Sequence, residues 1–285
     1  MVVRAGVNVP PWLLAITAML AVQLSNAFSA PLVERIGSAG TTWLRFSFGA
    51  LLLWLFVRPV IRNITKKDIP ALLAFGVVTG CMTTLFLAAA ERIPLGTAVA
   101  IEFLGPLTVA GLMSKHRRAL IWPVLAFVGV VLLTEPWTGS VDTVGVGFAL
   151  GAGVCWGLYN ILTQHVGDKF SGITGLALTL PVAALITMPF GIAQATAGDF
   201  EWWMVAAAAG IAILAPVVGY GLEMLALRRM SHTSFGTLLS IEPAFGVIVG
   251  LIVLAQTPSI VQIIGISMVV AAGAAAQKYS SRETN

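Results

Sequence analysis

Ten apolar segments, separated by short clusters of charged and turn residues, make up most of this chain of 285 residues. They cover residues 12–32, 39–57, 70–90, 95–113, 119–135, 144–164, 171–192, 202–226, 234–254 and 259–277. A helix needs about 20 residues to cross the roughly 30 Å of hydrocarbon in a bilayer, and most of these segments approach that length. The pattern therefore predicts an all-α integral membrane protein with ten transmembrane helices, here called spans 1 to 10.

The composition excludes a soluble protein. Hydrophobic residues make up 58% of the chain and charged residues only 10%, and the mean hydropathy is +0.94. Soluble domains carry roughly 25% charged residues, because an aqueous surface has to be covered with polar groups. The lipid bilayer is thus the predicted surrounding of the chain.

Lys and Arg are distributed unevenly between the two sides of the predicted bundle. If the N-terminus is cytoplasmic, thirteen of the sixteen Lys and Arg residues fall on the inner side, and only Arg35 and Arg92 lie in outer loops. Cytoplasmic loops carry the excess of positive charge in membrane proteins. We therefore expect a multi-pass protein of the inner (plasma) membrane with both termini cytoplasmic. The net charge of +4 is explained by this bias and requires no nucleic-acid partner.

An internal repeat divides the chain into halves. The segment from Leu95 to Glu102 recurs from Phe235 to Glu242 at a constant offset, and each copy is followed by a proline, Pro106 or Pro243. This predicts two five-span repeats, residues 1–138 and 139–285. Because five is odd, the second repeat enters the membrane inverted, an arrangement that supports alternating access.

Four charged residues lie within the spans, namely Arg45, Glu102, Glu223 and Glu242. A charge in the bilayer costs at least about 2.5–3.5 kcal/mol and usually faces a cavity or another charge. Three other interpretations remain open. A buried Arg–Glu pair could serve packing alone, Arg45 could snorkel to the outer interface from its place near a span end, and Glu223 could form a salt bridge with Arg228.

Polar and aromatic residues recur on single helix faces, as expected for a lined pathway. The substrate-binding residues predicted in addition to the four charges are Gln23, Asn26, Trp156, Tyr159, Asn160, Tyr220 and Ser240. Core packing is the alternative for Trp156, and close helix packing is the alternative for Ser240.

Pro106 removes the backbone hydrogen bond to the carbonyl of Glu102. Gly105, Pro106 and Pro243 are therefore predicted hinge residues, located beside the two repeated carboxylates.

The sequence holds no motif of an enzyme or of a metal site. No HExxH, Walker or triad pattern is present, so we expect neither catalysis nor a cofactor or metal. An intramembrane enzyme acting on lipids and a passive channel are weaker alternatives.

The segments IPLGTAVAIEFLGPLTVAG, GAGVCWGLYNIL and LEMLALRRMSHTSFGTLLSIEPAFG resemble the drug/metabolite transporter superfamily, and more narrowly its EamA-type amino-acid exporters. The resemblance implies a ten-helix carrier that moves amino acids out of the cytoplasm, with spans 4, 6 and 9 lining a central cavity. Aromatic amino-acid exporters of this superfamily carry an uncharged polar residue where Glu102 stands. The resemblance therefore favours small neutral substrates of the threonine and homoserine kind.

These observations combine into one hypothesis for the site. Glu102 and Glu242 would receive the ammonium group of the amino acid, while Arg45, helix amides or polar side chains would receive its carboxylate. A buried glutamate is also a candidate proton site for export driven by proton entry. The alternative cargo is aromatic amino acids or a broad range of metabolites and drugs, with Trp156 and the two tyrosines as the main contacts. The sequence does not predict the oligomeric state.

Overall fold

The computed structural model describes residues 9–59, 64–113, 120–138, 141–167, 170, 173–230 and 232–281, and all regular structure within these ranges is helical. The α-helices are α1 (Pro11–Phe28), α2 (Ala30–Val57), α3 (Ile69–Ala90), α4 (Leu95–Met113), α5 (Ile121–Thr134), α6 (Thr143–Gly167), α7 (Ile173–Ala197), α8 (Trp202–Ala212), α9 (Gly219–Leu227), α10 (His232–Leu239), α11 (Glu242–Leu254) and α12 (Ile260–Ser281).

Ten apolar helical stretches within these ranges match the ten predicted spans. Seven are long enough to cross a membrane, and three shorter ones cover Leu95–Val109, Ile121–Thr134 and Ile260–Ala276. Helices α1 to α7 are spans 1 to 7, α8 and α9 together form span 8, α10 and α11 form span 9, and α12 is span 10. The predicted all-α membrane fold is confirmed.

The predicted boundary between the first two spans agrees with the backbone. Span 1 was expected to reach residue 32 and span 2 to begin at residue 39, and the non-helical residue between them is Gly37, at φ 72° and ψ 169° within α2. The change from α1 to α2 at Ser29 is only a kink, because Ser29 keeps helical dihedral angles and the Val33 amide donates to its carbonyl at 2.9 Å. Pro31 has no N–H and accounts for this kink, and the Ser29 hydroxyl donates to the Ser25 carbonyl at 2.7 Å. Span 2 therefore covers residues 38–57, and Arg45 lies within it.

Spans 8 and 9 are interrupted. In span 8 a wide helical segment, Ile213–Val218, separates α8 from α9, and Ala215 within it is extended at φ −151° and ψ 130°. Pro216 follows and supplies no N–H. In span 9 a turn at residues 240–241 separates α10 from α11, so that Glu242 begins α11 and Pro243 follows it. Both breaks release backbone groups from helical hydrogen bonds.

Helices of the two sequence halves pack against each other in matching pairs. Helices α2 and α7, α4 and α11, and α5 and α12 each pack together, while α3 contacts α6 and α9 contacts α1. At the α5–α12 crossing, a Cβ on Gly129 would lie 2.7 Å from the Gly265 carbonyl oxygen, and a Cβ on Gly265 would lie 2.6 Å from the Gly129 carbonyl oxygen. This contact is reciprocal, and it requires glycine on both helices.

Polar contacts join helix ends at the predicted outer face. Arg35 pairs with Glu201 at 2.9 Å, and Arg92 pairs with Asp142 at 3.0 Å. The Gly145 amide and, to a smaller extent, Arg92 hold the pKa of Asp142 below its usual value. At the predicted inner face, Arg4, Arg62, Lys115, Arg117, Arg118, Lys169 and Arg282 lie outside the described residues.

Candidate functional site

A cavity of about 60 Å³ lies at the centre of the bundle, between α1, α2, α3, α4, α6, α9, α10 and α11. Its charged and polar wall consists of Gln23, Asn26, Arg45, Thr83, Glu102, Tyr159, Tyr220, Glu223 and Glu242. All four charges that the sequence places within spans therefore line one cavity. Roughly 10–15 Å³ of such space holds one water molecule, so the cavity has room for a few waters or a small solute.

Arg45 is held inside the bundle. Its side chain is 1% exposed, its Nε donates to the Ala215 carbonyl at 2.8 Å, and its Nη1 donates to Asn26 Oδ1 at 3.0 Å. Arg45 therefore does not snorkel to the outer interface, which was one of the alternatives, because both hydrogen bonds hold its guanidinium inside the bundle. The extended backbone at Ala215 supplies the carbonyl that makes this burial possible.

The Ala215 carbonyl lies beside a second polar contact from α1. The Ser25 hydroxyl donates to the Ile211 carbonyl at 3.1 Å and approaches the Ala215 carbonyl at 3.4 Å. Side chains of α1 and α2 thus satisfy the carbonyls released at the break in span 8. Neither Ser25 nor this break is predicted above, although Pro216 in an apolar run is a signal for the break.

Glu242 occupies the start of α11 and is 7% exposed. Its Oε1 accepts a hydrogen bond from Gln23 Nε2 at 3.1 Å. The first turn of a helix has free N–H groups and favours a negative charge. Glu102, its sequence counterpart, is half-buried within the unbroken helix α4. The two repeated glutamates therefore face the same cavity from different backbone settings.

Glu223 also lines the cavity. Among the described residues the ion pairs are Arg35–Glu201 and Arg92–Asp142, so the structure does not contain the alternative pair with Arg228. It likewise does not contain an Arg–Glu pair at Arg45.

Aromatic side chains form part of the wall. Trp156 packs edge-on against Phe103 with ring centroids 6.0 Å apart, and Tyr159 packs against Phe75 at 4.9 Å. Phe86 and Phe235 also line the cavity and were not singled out from the sequence. Trp156 thus contributes both to packing and to the cavity.

Two predicted site residues do not line the cavity. Asn160 is half-buried on α6. Ser240 is fully buried, donates to the Thr237 carbonyl at 2.6 Å, and lies where a Cβ on Gly273 would be 2.6 Å from its own Cβ. For Ser240 these contacts correspond to the alternative of close helix packing.

The predicted hinge residues have different local roles. Pro106 lies inside the continuous helix α4, and Pro243 follows the break before α11. Gly105 faces α6 so closely that a Cβ would overlap the Gly153 carbonyl. Gly105 therefore provides a backbone contact between α4 and α6 next to Glu102.

Within the described ranges no group of three or more His, Cys, Asp or Glu side chains is arranged to hold a metal ion. The chemistry that the cavity offers is instead charge recognition. One guanidinium and three carboxylates, with amide and hydroxyl groups between them, can bind a small solute that carries charges of both signs.

A multi-span helical bundle around a charged cavity is the architecture of a membrane transporter. Residues 143–275 match the EamA-like transporter family, and, together with the similarity over nearly the whole chain that follows, this match shows that the chain belongs to that family of the drug/metabolite transporter superfamily. The chain is 35% identical to the threonine/homoserine exporter RhtA of Escherichia coli K12, over 93% of this chain and 91% of the relative. It is also 35% identical to RhtA of Salmonella typhimurium LT2, over 92% and 89%.

More distant similarities also extend over most of the chain. The pseudopaline exporter CntI of Pseudomonas aeruginosa PAO1 is 22% identical over 83% of each chain. A protein crystal structure superimposes with a TM-score of 0.64 at 16% identity, over 96% of this chain and 98% of its own. The expectation that the protein is not an enzyme agrees with this family assignment.

Proposed function

We propose that the protein is a secondary transporter that exports small neutral amino acids, similar to threonine and homoserine, from the cytoplasm by alternating access. The observation that carries this proposal is the central cavity, in which Arg45 faces the carboxylates of Glu102, Glu223 and Glu242. A zwitterionic amino acid presents one positive and one negative group to such a wall. The 35% identity to a threonine/homoserine exporter supports the same substrate class.

The cavity volume favours small substrates. About 60 Å³ is well below the roughly 300–1,000 Å³ of pockets for drug-sized ligands. Threonine and homoserine have short side chains that carry a hydroxyl group, and the cavity wall provides hydroxyl and amide partners for it.

Two inverted repeats, residues 1–138 and 139–285, are part of the proposal. The matching packing pairs and the reciprocal glycine contact at Gly129 and Gly265 support them. Rocking of one repeat against the other would expose the cavity to each side in turn. Gly105, Pro106 and Pro243 are the proposed pivots of that movement, since they flank Glu102 and Glu242.

Export from the cytoplasm also requires an orientation. The charge bias supports cytoplasmic termini in the inner membrane. On α1 the cavity wall extends from Asn26 to Ala15, about 16 Å toward the predicted inner face. On the predicted outer side, Arg92 and Asp142 form an ion pair in the wall of a separate cavity of about 180 Å³. We interpret this arrangement as the state that loads substrate from the cytoplasm.

Protons are the proposed coupling partner. Three carboxylates share the cavity with one guanidinium, so the empty site carries more acidic than basic groups. A proton or a substrate ammonium group can compensate the excess, and exchange of one for the other would couple export to proton entry.

The test is counterflow in proteoliposomes that are loaded with excess unlabelled threonine and placed in labelled threonine. Wild-type protein should take up the label in a saturable way, and Glu102→Gln and Glu242→Gln should each reduce this uptake at least tenfold. If both variants are folded and transport threonine at the wild-type rate, the proposed site is wrong.

A second candidate cargo, aromatic amino acids or a broad range of metabolites and drugs, is favoured by the aromatic wall at Trp156, Tyr159 and Tyr220. Stronger competition by phenylalanine than by homoserine for threonine counterflow would establish it.

A further inference from the structure

The side chain of Gln23 has one satisfied and one unsatisfied end. Its Nε2 donates to Glu242 Oε1 at 3.1 Å, and the residue is only 2% exposed. Its Oε1 is buried and has no hydrogen-bond partner. Among the described residues, three buried side-chain atoms lack a partner, and Gln23 is the one of these three residues that lines the cavity.

A buried acceptor without a donor is unfavourable, and native proteins leave few of them. The amide orientation follows from its neighbour, because a carboxylate accepts hydrogen bonds and therefore draws the Nε2 end. In the empty site Oε1 is enclosed, so a ligand donor reaches it when the side chains that cover it move aside. Beside an acidic side chain, that donor is best supplied by a cationic N–H group.

One turn further along α1, the wall offers hydrogen-bond donors instead of an acceptor. Asn26 accepts a hydrogen bond from Arg45 through Oδ1, which leaves its Nδ2 donors and the remaining guanidinium N–H groups for an anionic partner. Three residues of helix separate Gln23 from Asn26, a rise of about 4.5 Å. In an α-amino acid the ammonium and carboxylate groups are attached to the same carbon, so both can be reached from one face of α1.

We propose that Gln23 is the residue that recognises the substrate ammonium group, with its Oε1 accepting one N–H while Glu242 supplies the negative charge. Asn26 and Arg45 bind the carboxylate, so the amino acid lies along α1 in a fixed direction. This assignment rests on the proposed function and adds the orientation of the substrate and the source of its α-amino specificity.

Other charged and titratable groups around the same cavity define the environment of this subsite. They are Glu102 on α4, Glu223 and Tyr220 on α9, Arg45 on α2 and Tyr159 on α6. Gln23 differs from the glutamates because its amide oxygen accepts a hydrogen bond whatever the pH, whereas a carboxyl group changes charge when it is protonated.

The experiment compares two substrate analogues that each lack one charged group. Threoninol keeps the ammonium group and lacks the carboxylate, whereas 3-hydroxybutyrate keeps the carboxylate and lacks the ammonium. Both compete against labelled threonine for binding to the purified full-length protein. The variants are Gln23→Met, which keeps the chain length, and Asn26→Leu at the other subsite.

We expect Gln23→Met to weaken threonine and threoninol at least tenfold and to leave 3-hydroxybutyrate within twofold of wild type. Asn26→Leu should show the reverse pattern. Gln23→Glu, which restores acceptor oxygens at this position, should regain threoninol binding relative to Gln23→Met.

The proposal is overturned if Gln23→Met weakens both analogues equally, or if Gln23→Glu binds threoninol no better than Gln23→Met does. Should Gln23→Met fail to fold, Gln23→Glu is compared with wild type, and loss of threoninol binding there also overturns it. Absence of saturable threonine binding to wild-type protein would instead refute the proposed function itself.

Discussion

Replacement of Arg45 by methionine tests whether the guanidinium holds span 8 against α1 and α2. The side chain is almost fully buried and makes two hydrogen bonds, at 2.8 Å to the Ala215 carbonyl and at 3.0 Å to Asn26 Oδ1. Hydrogen bonds to a charged group contribute about 1.5–3 kcal/mol each, so the two together contribute about 3–6 kcal/mol. Removing the charge also relieves its loss of hydration, which offsets part of that amount.

We therefore expect Arg45→Met to lower the free energy of unfolding by about 2–4 kcal/mol. At roughly 2–4 °C per kcal/mol for chains of comparable size, the apparent Tm should fall by roughly 4–16 °C. Tryptophan fluorescence during heating in detergent measures the shift. The matched control is Arg58→Met, at the exposed end of the same helix, for which we expect no change beyond about 0.5 kcal/mol. A Tm of Arg45→Met equal to or above that of wild type would refute the reasoning.

Two further predictions concern helix packing and the outer face. Gly153→Ala should lower the free energy of unfolding by about 1–3 kcal/mol, because the added Cβ would lie 2.8 Å from the Glu102 carbonyl oxygen. The control is Gly147→Ala on the same helix, which meets open space and should be neutral or stabilising. Equal Tm values for the two variants would contradict the close contact. Arg92→Ala should raise the pKa of Asp142 only part of the way to its usual value, because the Gly145 amide is the larger cause of the lowering. The stabilisation from ionised Asp142 is fully present above its usual pKa of about 3.9, and it is lost as the pH falls through the lower pKa of the folded protein. Infrared titration of the carboxylates measures the pKa of Asp142. A wild-type pKa at the usual value would exclude this interaction.

Hydropathy predicts the ten spans because each helix has to satisfy its own backbone in lipid, so that length and apolarity suffice to identify it. The repeated glutamates can also be identified from the sequence. A charge within an apolar run is rare, and its recurrence at Glu242 indicates that both glutamates share one environment. Glu102, Glu223, Glu242 and Arg45 do line one cavity.

The local backbone could not be predicted in the same way. The burial of Arg45 depends on the extended conformation of Ala215, a residue far away in the sequence on another span. Asn160 and Ser240 lie at plausible depths but do not line the cavity, and the contacts that decide this, such as the packing of Ser240 against Gly273, are tertiary. Gln23 illustrates the same limit, because only the three-dimensional contact with Glu242 reveals which end of its amide is left unsatisfied.

The most direct test of the central claim is a competition profile of the twenty amino acids and homoserine against labelled threonine, measured as counterflow in proteoliposomes of wild-type protein. The proposed cavity predicts that homoserine and serine compete strongly, while tryptophan and phenylalanine compete weakly, and lysine and glutamate do so least because each adds a net charge to the site. Strong competition by tryptophan and phenylalanine with none by homoserine, or the absence of saturable threonine counterflow, would contradict the account.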